Sequence, residues 1–259
     1  MKSIKIKCPA KINLDLRVFP VDENGFHPIK SIMQTISLFD YLDISISDGN
    51  EIILKGDSNE IPYDEKNICY KAAKLFLEAI KKDYKIEIFI QKNIPVCAGL
   101  AGGSTDAAGV LFGLNKLLDY PISINKIDEL ASKLGSDLNF CLKGGTKLCT
   151  GRGEKITDMP FFDFKLALIK PKNLKISAKE AYCAFDELKI ESNFRNDLEF
   201  ALLQTDKYKE LEFLSSKGFQ MSGSGPTFFI RQSSFDEKFG NDYIVIENLN
   251  SINHGVIEI

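Results

Sequence analysis

The sequence contains no tryptophan and only two histidines, His27 and His254, which stand far apart. Its six cysteines (Cys8, Cys69, Cys97, Cys141, Cys149, Cys183) never fall into CxxC spacing, so the chain lacks the ligand supply of a Cys/His zinc site. Reduced, mostly buried thiols are the expectation. An excess of one charge is missing as well: 33 Lys and Arg face 36 Asp and Glu, a net charge of -3 with both signs mixed along the chain. That balance leaves no nucleic-acid footprint. No apolar run approaches the roughly 18 residues that span a bilayer, and the opening MKSIKIKCPAKINL has no apolar signal-peptide core. These absences predict a cytoplasmic protein with neither nucleic acid nor membrane as a partner.

What is present describes a globular chain. With 259 residues, 44% hydrophobic and 27% charged, it has the length of one large or two modest domains and can bury a core without disulfide or metal staples. Apolar residues alternate at period two from Ile4 to Val18, and turn residues occupy Asp22 to Gly25, which predicts strands. From Ile68 to Ile80 the spacing becomes three and four, the stripe of an amphipathic helix, and a strand follows over Ile86, Ile88 and Ile90. Ser123 caps a helix closed by Gly135, and Gly144 to Gly153 reads as a strand with glycine punctuation. A boundary is expected between Gly153 and Phe164, ahead of a strand over Leu166 to Ile169. Beyond it the pattern predicts helices near 178–187 and 205–216, a hairpin around MSGSGPTFFI, and a last strand near Tyr243 to Ile246. Strands and helices mix without βαβ regularity, so the fold class is α+β.

The most informative stretch is PVCAGLAGGSTDAA, residues 95 to 108. Gly99, Gly102 and Gly103 let backbone N–H groups converge just before a helix, the arrangement that cradles phosphate. Ser104 and Thr105 add hydroxyls for phosphate oxygen or Mg²⁺. Neither Walker A nor the dinucleotide GxGxxG spacing is met. Glycine content alone leaves an ordinary tight turn as the commoner reading. For SGSG, by contrast, a simple hairpin turn and a closing phosphate turn weigh equally.

Three separated blocks resolve the choice by resemblance. PAKINLDL (Pro9 to Leu16), PVCAGLAGGSTDAA (Pro95 to Ala108) and MSGSGPTFF (Met221 to Phe229) together resemble the GHMP kinases, the superfamily of galactokinase and of homoserine, mevalonate and phosphomevalonate kinases. Further segments, NGFHPIKSIMQTISLFDYL, NICYKAAKLF, KLGSDLNFCLKGGTKLCTGRGE and NDLE, extend the likeness over nearly the whole chain. They resemble the branch whose phosphoryl acceptor is 4-diphosphocytidyl-2-C-methyl-D-erythritol. The resemblance implies a two-domain GHMP kinase fold: a ribosomal protein S5-like domain over 1–156 and a ferredoxin-like domain over 157–259. It implies ATP and Mg²⁺ as cofactors, a small-molecule substrate, and a monomer or weak homodimer. The alternatives are a GHMP kinase for another small alcohol, such as mevalonate or homoserine, and a non-catalytic S5-like module.

By the same resemblance, Asp137 is the base and Lys11 the lysine that polarises the acceptor hydroxyl, with Asn13 orienting hydroxyl or phosphate. The bland reading of Lys11 and Asp137 is two surface charges. ATP is expected on the backbone of Pro95, Val96, Cys97, Ala98, Gly99, Leu100, Ala101, Gly102, Gly103, Ser104 and Thr105, with Ser104 also the candidate Mg²⁺ ligand. Gly223, Ser224 and Gly225 would close over it, and Asn67, Lys92 and Ile94 would lie near adenine. Asn67 reads equally as a helix cap and Lys92 as a solvated charge. Phe26 and His27 are assigned to the cytosine, where relatives have a Tyr-His pair, with Tyr182 as the opposing ring. Cys97 and Ala101 stand where relatives commonly have glycine. If those positions need positive φ, each Cβ costs about 1 kcal/mol. Asn139 stands where relatives often have proline.

Overall fold

The computed structural model describes residues 2–188, 192–208, 210–235 and 239–259. The alternating start forms two very long strands, β1 (Lys2–Val18) and β2 (Ile29–Ser47), paired antiparallel along their whole length. The second half of β2 also pairs β4 (Lys85–Gln91), which runs parallel to β3 (Ile52–Gly56). Its first half pairs β5 (Thr146–Gly151), which pairs β6 (Lys155–Asp158). Helices α1 (Ile68–Ile80), α2 (Gly102–Leu117), α3 (Ile124–Leu134) and α4 (Leu138–Lys143) lie among these strands in the chain. A second sheet has the order β10 (Tyr243–Asn250), β7 (Lys165–Pro171), β9 (Phe228–Ile230), β8 (Gln220–Met221). It accompanies α5 (Ala178–Asp186), α6 (Asp197–Leu203) and α7 (Glu210–Ser216). The last strand, β11 (Ile257–Glu258), returns to pair β1 in the first sheet. The architecture is α+β. Among the described residues no helix is long and apolar enough to cross a membrane.

Several expectations need adjustment. The helix expected over 205–216 is a 3₁₀ turn, Asp206–Tyr208, followed by α7, with Lys209 outside the described residues. Two short helices, α4 and α6, have no counterpart in the sequence reading. Six or seven residues give too few turns to establish a period. Asn139, in α4, ties that helix to α3 by accepting from the Ser132 hydroxyl and donating to the Asp128 carbonyl.

Two cores meet at β1. Ile4, Ile6 and Cys8 pack into the larger one with α2 and α4. Ala10 and Ile12 face a second core with Leu166, Leu168, Phe229 and Leu249 of the other sheet, and Leu16 and Val18 return to the first. All of these are even-numbered, so an unbroken strand would hold them on one face. Register breaks between Pro9 and Ala10 and between Asn13 and Asp15 swap the faces and then restore them. Between the breaks, the odd-numbered Lys11 and Asn13 turn to the side of Cys8.

Candidate active site

Lys11 is therefore carried on a strand segment with no solvent-facing side, and its side chain is 6% exposed. Its ammonium lies 3.3 Å from Asp137 Oδ2 and donates to Asn13 Oδ1 at 2.7 Å. Asn13 in turn donates to Ser31 Oγ at 2.8 Å. Asp137 sits at the N-cap position of α4 but makes no side-chain capping bond. Its carboxylate is left to Lys11 and to the cavity before it, and the side chain keeps 26% exposure. The bland reading of two surface charges is excluded by this geometry.

The glycine-rich loop crosses in front of the pair. Lys11 N–H donates to the Leu100 carbonyl at 3.1 Å, and Ala98 and Leu100 anchor the loop in the core between the sheets. Positive φ recurs at Cys97 (51°), Gly99 (72°) and Ala101 (58°), the last being the N-cap of α2. Ala101 offers no side-chain cap, so the first N–H groups of α2 are free to meet an anion. Gly99 faces the second sheet's turn, where a Cβ would collide with the Ser222 carbonyl. Ser222 binds both sides, accepting from Asn13 N–H at 3.3 Å and donating to the Gly99 carbonyl at 3.0 Å. A Cβ at Gly223 would fall 3.2 Å from the Gly99 carbonyl oxygen and 3.4 Å from the Lys11 ammonium.

Two cavities open on either side of this loop and share Gly99, Ala101 and Ser104 as a common wall. One, of about 340 Å³, holds Lys11, Asn13, Asp137, Tyr182, Gly223 and Ser224. The other, of about 440 Å³, is lined by Asn67, Lys92, Pro95 to Ala98, Gly102 and Gly103. Thr105 is fully buried and lines neither; Gly225 also lies outside both linings, beside Met221.

Asn67 combines two expectations. It lines the larger cavity while its Oδ1 caps α1 by accepting from Cys69 N–H at 2.8 Å. Lys92 is not a solvated charge: its ammonium is bonded to Asp40 and, at 2.8 Å, to Asp106 of α2. Burial pulls this lysine down, but the two carboxylates more than offset it and hold it above its ordinary value. Burial raises the Asp106 carboxyl well above its ordinary value, and the neighbouring Asp40 pushes it the same way.

Tyr182 lines the smaller cavity, and His27, itself outside the lining, stacks on it with ring centroids 5.1 Å apart and planes 24° apart. Both imidazole nitrogens have neighbours: Nδ1 lies 2.9 Å from the Phe19 carbonyl and Nε2 lies 3.3 Å from Asp186. Burial, helped by the Asp137 charge, pushes the Tyr182 hydroxyl up to about 12. Phe26 is apart from these rings. It is 48% exposed, lies outside the cavity lining, and is covered by the Arg152 guanidinium at 4.8 Å. Arg152 and Ser136 do line the cavity, and the sequence reading passed over both. The glycines flanking Arg152 in TGRGE were the available signal.

A buried lysine paired with an uncapped aspartate stands beside the open N-terminus of α2, and similarity to known proteins places the chain among the GHMP kinases. The family model for the GHMP kinases N terminal domain matches residues 67–145. A crystal structure of 4-(cytidine 5'-diphospho)-2C-methyl-D-erythritol kinase superposes with a TM-score of 0.74 at 28% identity, covering 87% of this chain and 89% of that one. A mevalonate kinase crystal structure shares the fold at a TM-score of 0.68 and 14% identity, covering 97% of this chain and all of its own. The 4-diphosphocytidyl-2-C-methyl-D-erythritol kinase of Clostridium beijerinckii is 39% identical over 252 residues, 87% of this chain and 90% of its own length. That of Prochlorococcus marinus is 38% identical, covering 88% of this chain and 85% of its own. The chain belongs to the 4-diphosphocytidyl-2-C-methyl-D-erythritol kinase family.

Proposed function

We propose that this protein transfers the γ-phosphoryl group of ATP to the 2-hydroxyl of 4-diphosphocytidyl-2-C-methyl-D-erythritol, giving ADP and the 2-phosphate, a step in non-mevalonate isoprenoid precursor biosynthesis. The observation that carries it is the Lys11–Asp137 pair, 3.3 Å apart, in the smaller cavity, whose Gly99, Ala101 and Ser104 wall is shared with the larger. Phosphoryl transfer needs a hydroxyl in line with the γ-phosphorus, neutralised equatorial oxygens and a proton acceptor. ATP lies in the cavity of Asn67 and Pro95 to Ala98, its terminal phosphate reaching Ser104 and the free N–H groups of α2. The acceptor hydroxyl lies between Lys11 and Asp137. Asp137 Oδ takes its proton as the oxygen attacks phosphorus, and the Lys11 ammonium stabilises the charge on that oxygen. Asn13 fixes the ammonium, and the Ser222–Gly223 turn excludes water from the loop side.

The donor set fits Mg²⁺ carried on the phosphates. Among the described residues no acidic or thiol cluster could hold a metal alone, whereas the Ser104 hydroxyl stands at the wall shared by both cavities. When bound there, Mg²⁺ would neutralise phosphate charge. The cytidine end is assigned to the Tyr182–His27 stack, with Phe26 and Arg152 at its rim. One chain supplies all of these groups, so a monomer or a weak homodimer would serve alike.

An activity panel tests the assignment. With ATP and Mg²⁺, the purified protein is expected to phosphorylate 4-diphosphocytidyl-2-C-methyl-D-erythritol and to leave mevalonate and homoserine unchanged. Conversion of either of those in place of the cytidyl compound would refute it.

A further inference from the structure

The second sheet carries a lysine with no acid beside it. Lys170 lies in β7 and is 5% exposed. Its ammonium donates to the backbone carbonyls of Pro171 at 3.0 Å and Leu174 at 3.3 Å. An ammonium has three N–H groups, so one remains. Among the described residues no carboxylate lies within ion-pair distance of it. Glu60, which acts on it through space, is paired with Lys175 at 3.5 Å. Burial accordingly pulls Lys170 below its ordinary value. Buried charges are as a rule paired, and a lysine held this way fits an anion that arrives with a ligand.

Lys170 lines a cavity of about 280 Å³ together with Lys172, Lys175 and one carboxylate, Glu60, which Lys175 holds at 3.5 Å. Lys92, Pro95 and Val96 line both this cavity and the nucleotide cavity, so the two spaces adjoin. Lys92 is already bonded to two carboxylates and has little charge to offer a phosphate. Lys11, Ser104 and Asp137 line the smaller cavity and not the cationic one, so a phosphate held by Lys170 is not the one at the Lys11–Asp137 pair.

We propose that Lys170, flanked by Lys172, is an anion subsite of the nucleotide cleft that holds a non-transferred phosphate of the bound nucleotide from the second sheet. The proposal rests on the ATP reading of the cleft. The N-terminus of α2 then grips the polyphosphate from one side and Lys170 from the other.

Titration calorimetry with ADP and with adenosine tests it on the intact chain. Lys170→Met is expected to weaken ADP about ten-fold while leaving adenosine binding unchanged, since one charge-assisted hydrogen bond is lost. Lys170→Arg should recover part of the loss. In turnover, the KM for ATP should rise with kcat and the KM of the acceptor unaffected. Equal losses for ADP and adenosine, or no loss, would overturn the subsite. Should Lys170→Met fail to fold, the exposed Lys172→Glu decides by the same ADP-to-adenosine comparison. The two readings fail separately: a wild-type protein that binds neither ligand removes the ATP reading, whereas wild-type and Lys170→Met proteins binding ADP equally remove only the subsite.

Discussion

At the scale of the residue, the proposed mechanism has Lys11 hold and Asp137 react. Asp137→Asn keeps the shape of the side chain but removes the proton acceptor. Turnover should fall by about 10²-fold or more, with ATP affinity by calorimetry unchanged. Asp106 gives a prediction of a different kind. Its folded carboxyl binds a proton more tightly than an unfolded one, so it lowers stability as pH rises above the ordinary carboxylate value of about 4. Asp106→Asn removes that penalty. In urea melts the stability of the variant relative to the wild type should move in the variant's favour as pH rises from 5 to 8, on top of a pH-independent offset from the lost bond to Lys92. A constant difference across that range would show that ionisation is not the cause. Lys11 and Asp137 were legible because they lie inside sequence blocks of fixed spacing. Arg152 and Lys170 were not, because their surroundings come from segments far apart in the chain.

At the scale of the element, the phosphate loop is held in a left-handed conformation by its neighbours. Cys97 and Ala101 adopt positive φ, so the cost anticipated for a Cβ at these positions applies. Cys97→Gly and Ala101→Gly should each raise stability, by up to about 1 kcal/mol, visible as a higher Tm. Gly99→Ala should do the opposite, because its Cβ meets the Ser222 carbonyl and drives the loop from the second sheet's turn. A rise in the KM for ATP should accompany its lower Tm. Helices α1, α2 and α3 were readable from apolar spacing and from the Ser123 and Gly135 ends. The face swap in β1 was not, because two bulges leave an even-numbered apolar pattern that looks unbroken.

At the scale of the whole molecule, the site exists only where the sheets meet, and Asn196 fastens that seam. It is fully buried, donates to the Met221 and Gly223 carbonyls at 2.9 and 2.8 Å, and caps α6 by accepting from Leu198 and Glu199 N–H. Asn196→Ala should cost about 2–3 kcal/mol, since several buried groups lose partners at once, and should lower kcat by displacing Gly223. A loss of stability with kcat intact would confine its role to α6. The second sheet was foreseen from its strands and hairpin, but the return of β11 to β1 was not; a two-residue strand leaves no period to read.

The enclosed stretch of β1 around Lys11 also bears on how the protein tolerates change. Because both flanks of Ala10 to Asn13 are occupied, substitutions at Ala10 and Ile12 should rank alike whether clones are sorted by solubility or by turnover, whereas at Lys11 turnover should fall even where solubility is kept. Around Phe26 and Arg152, at the cavity rim, the two rankings should part, and that rim is where altered acceptor preference can be selected without losing the soluble protein.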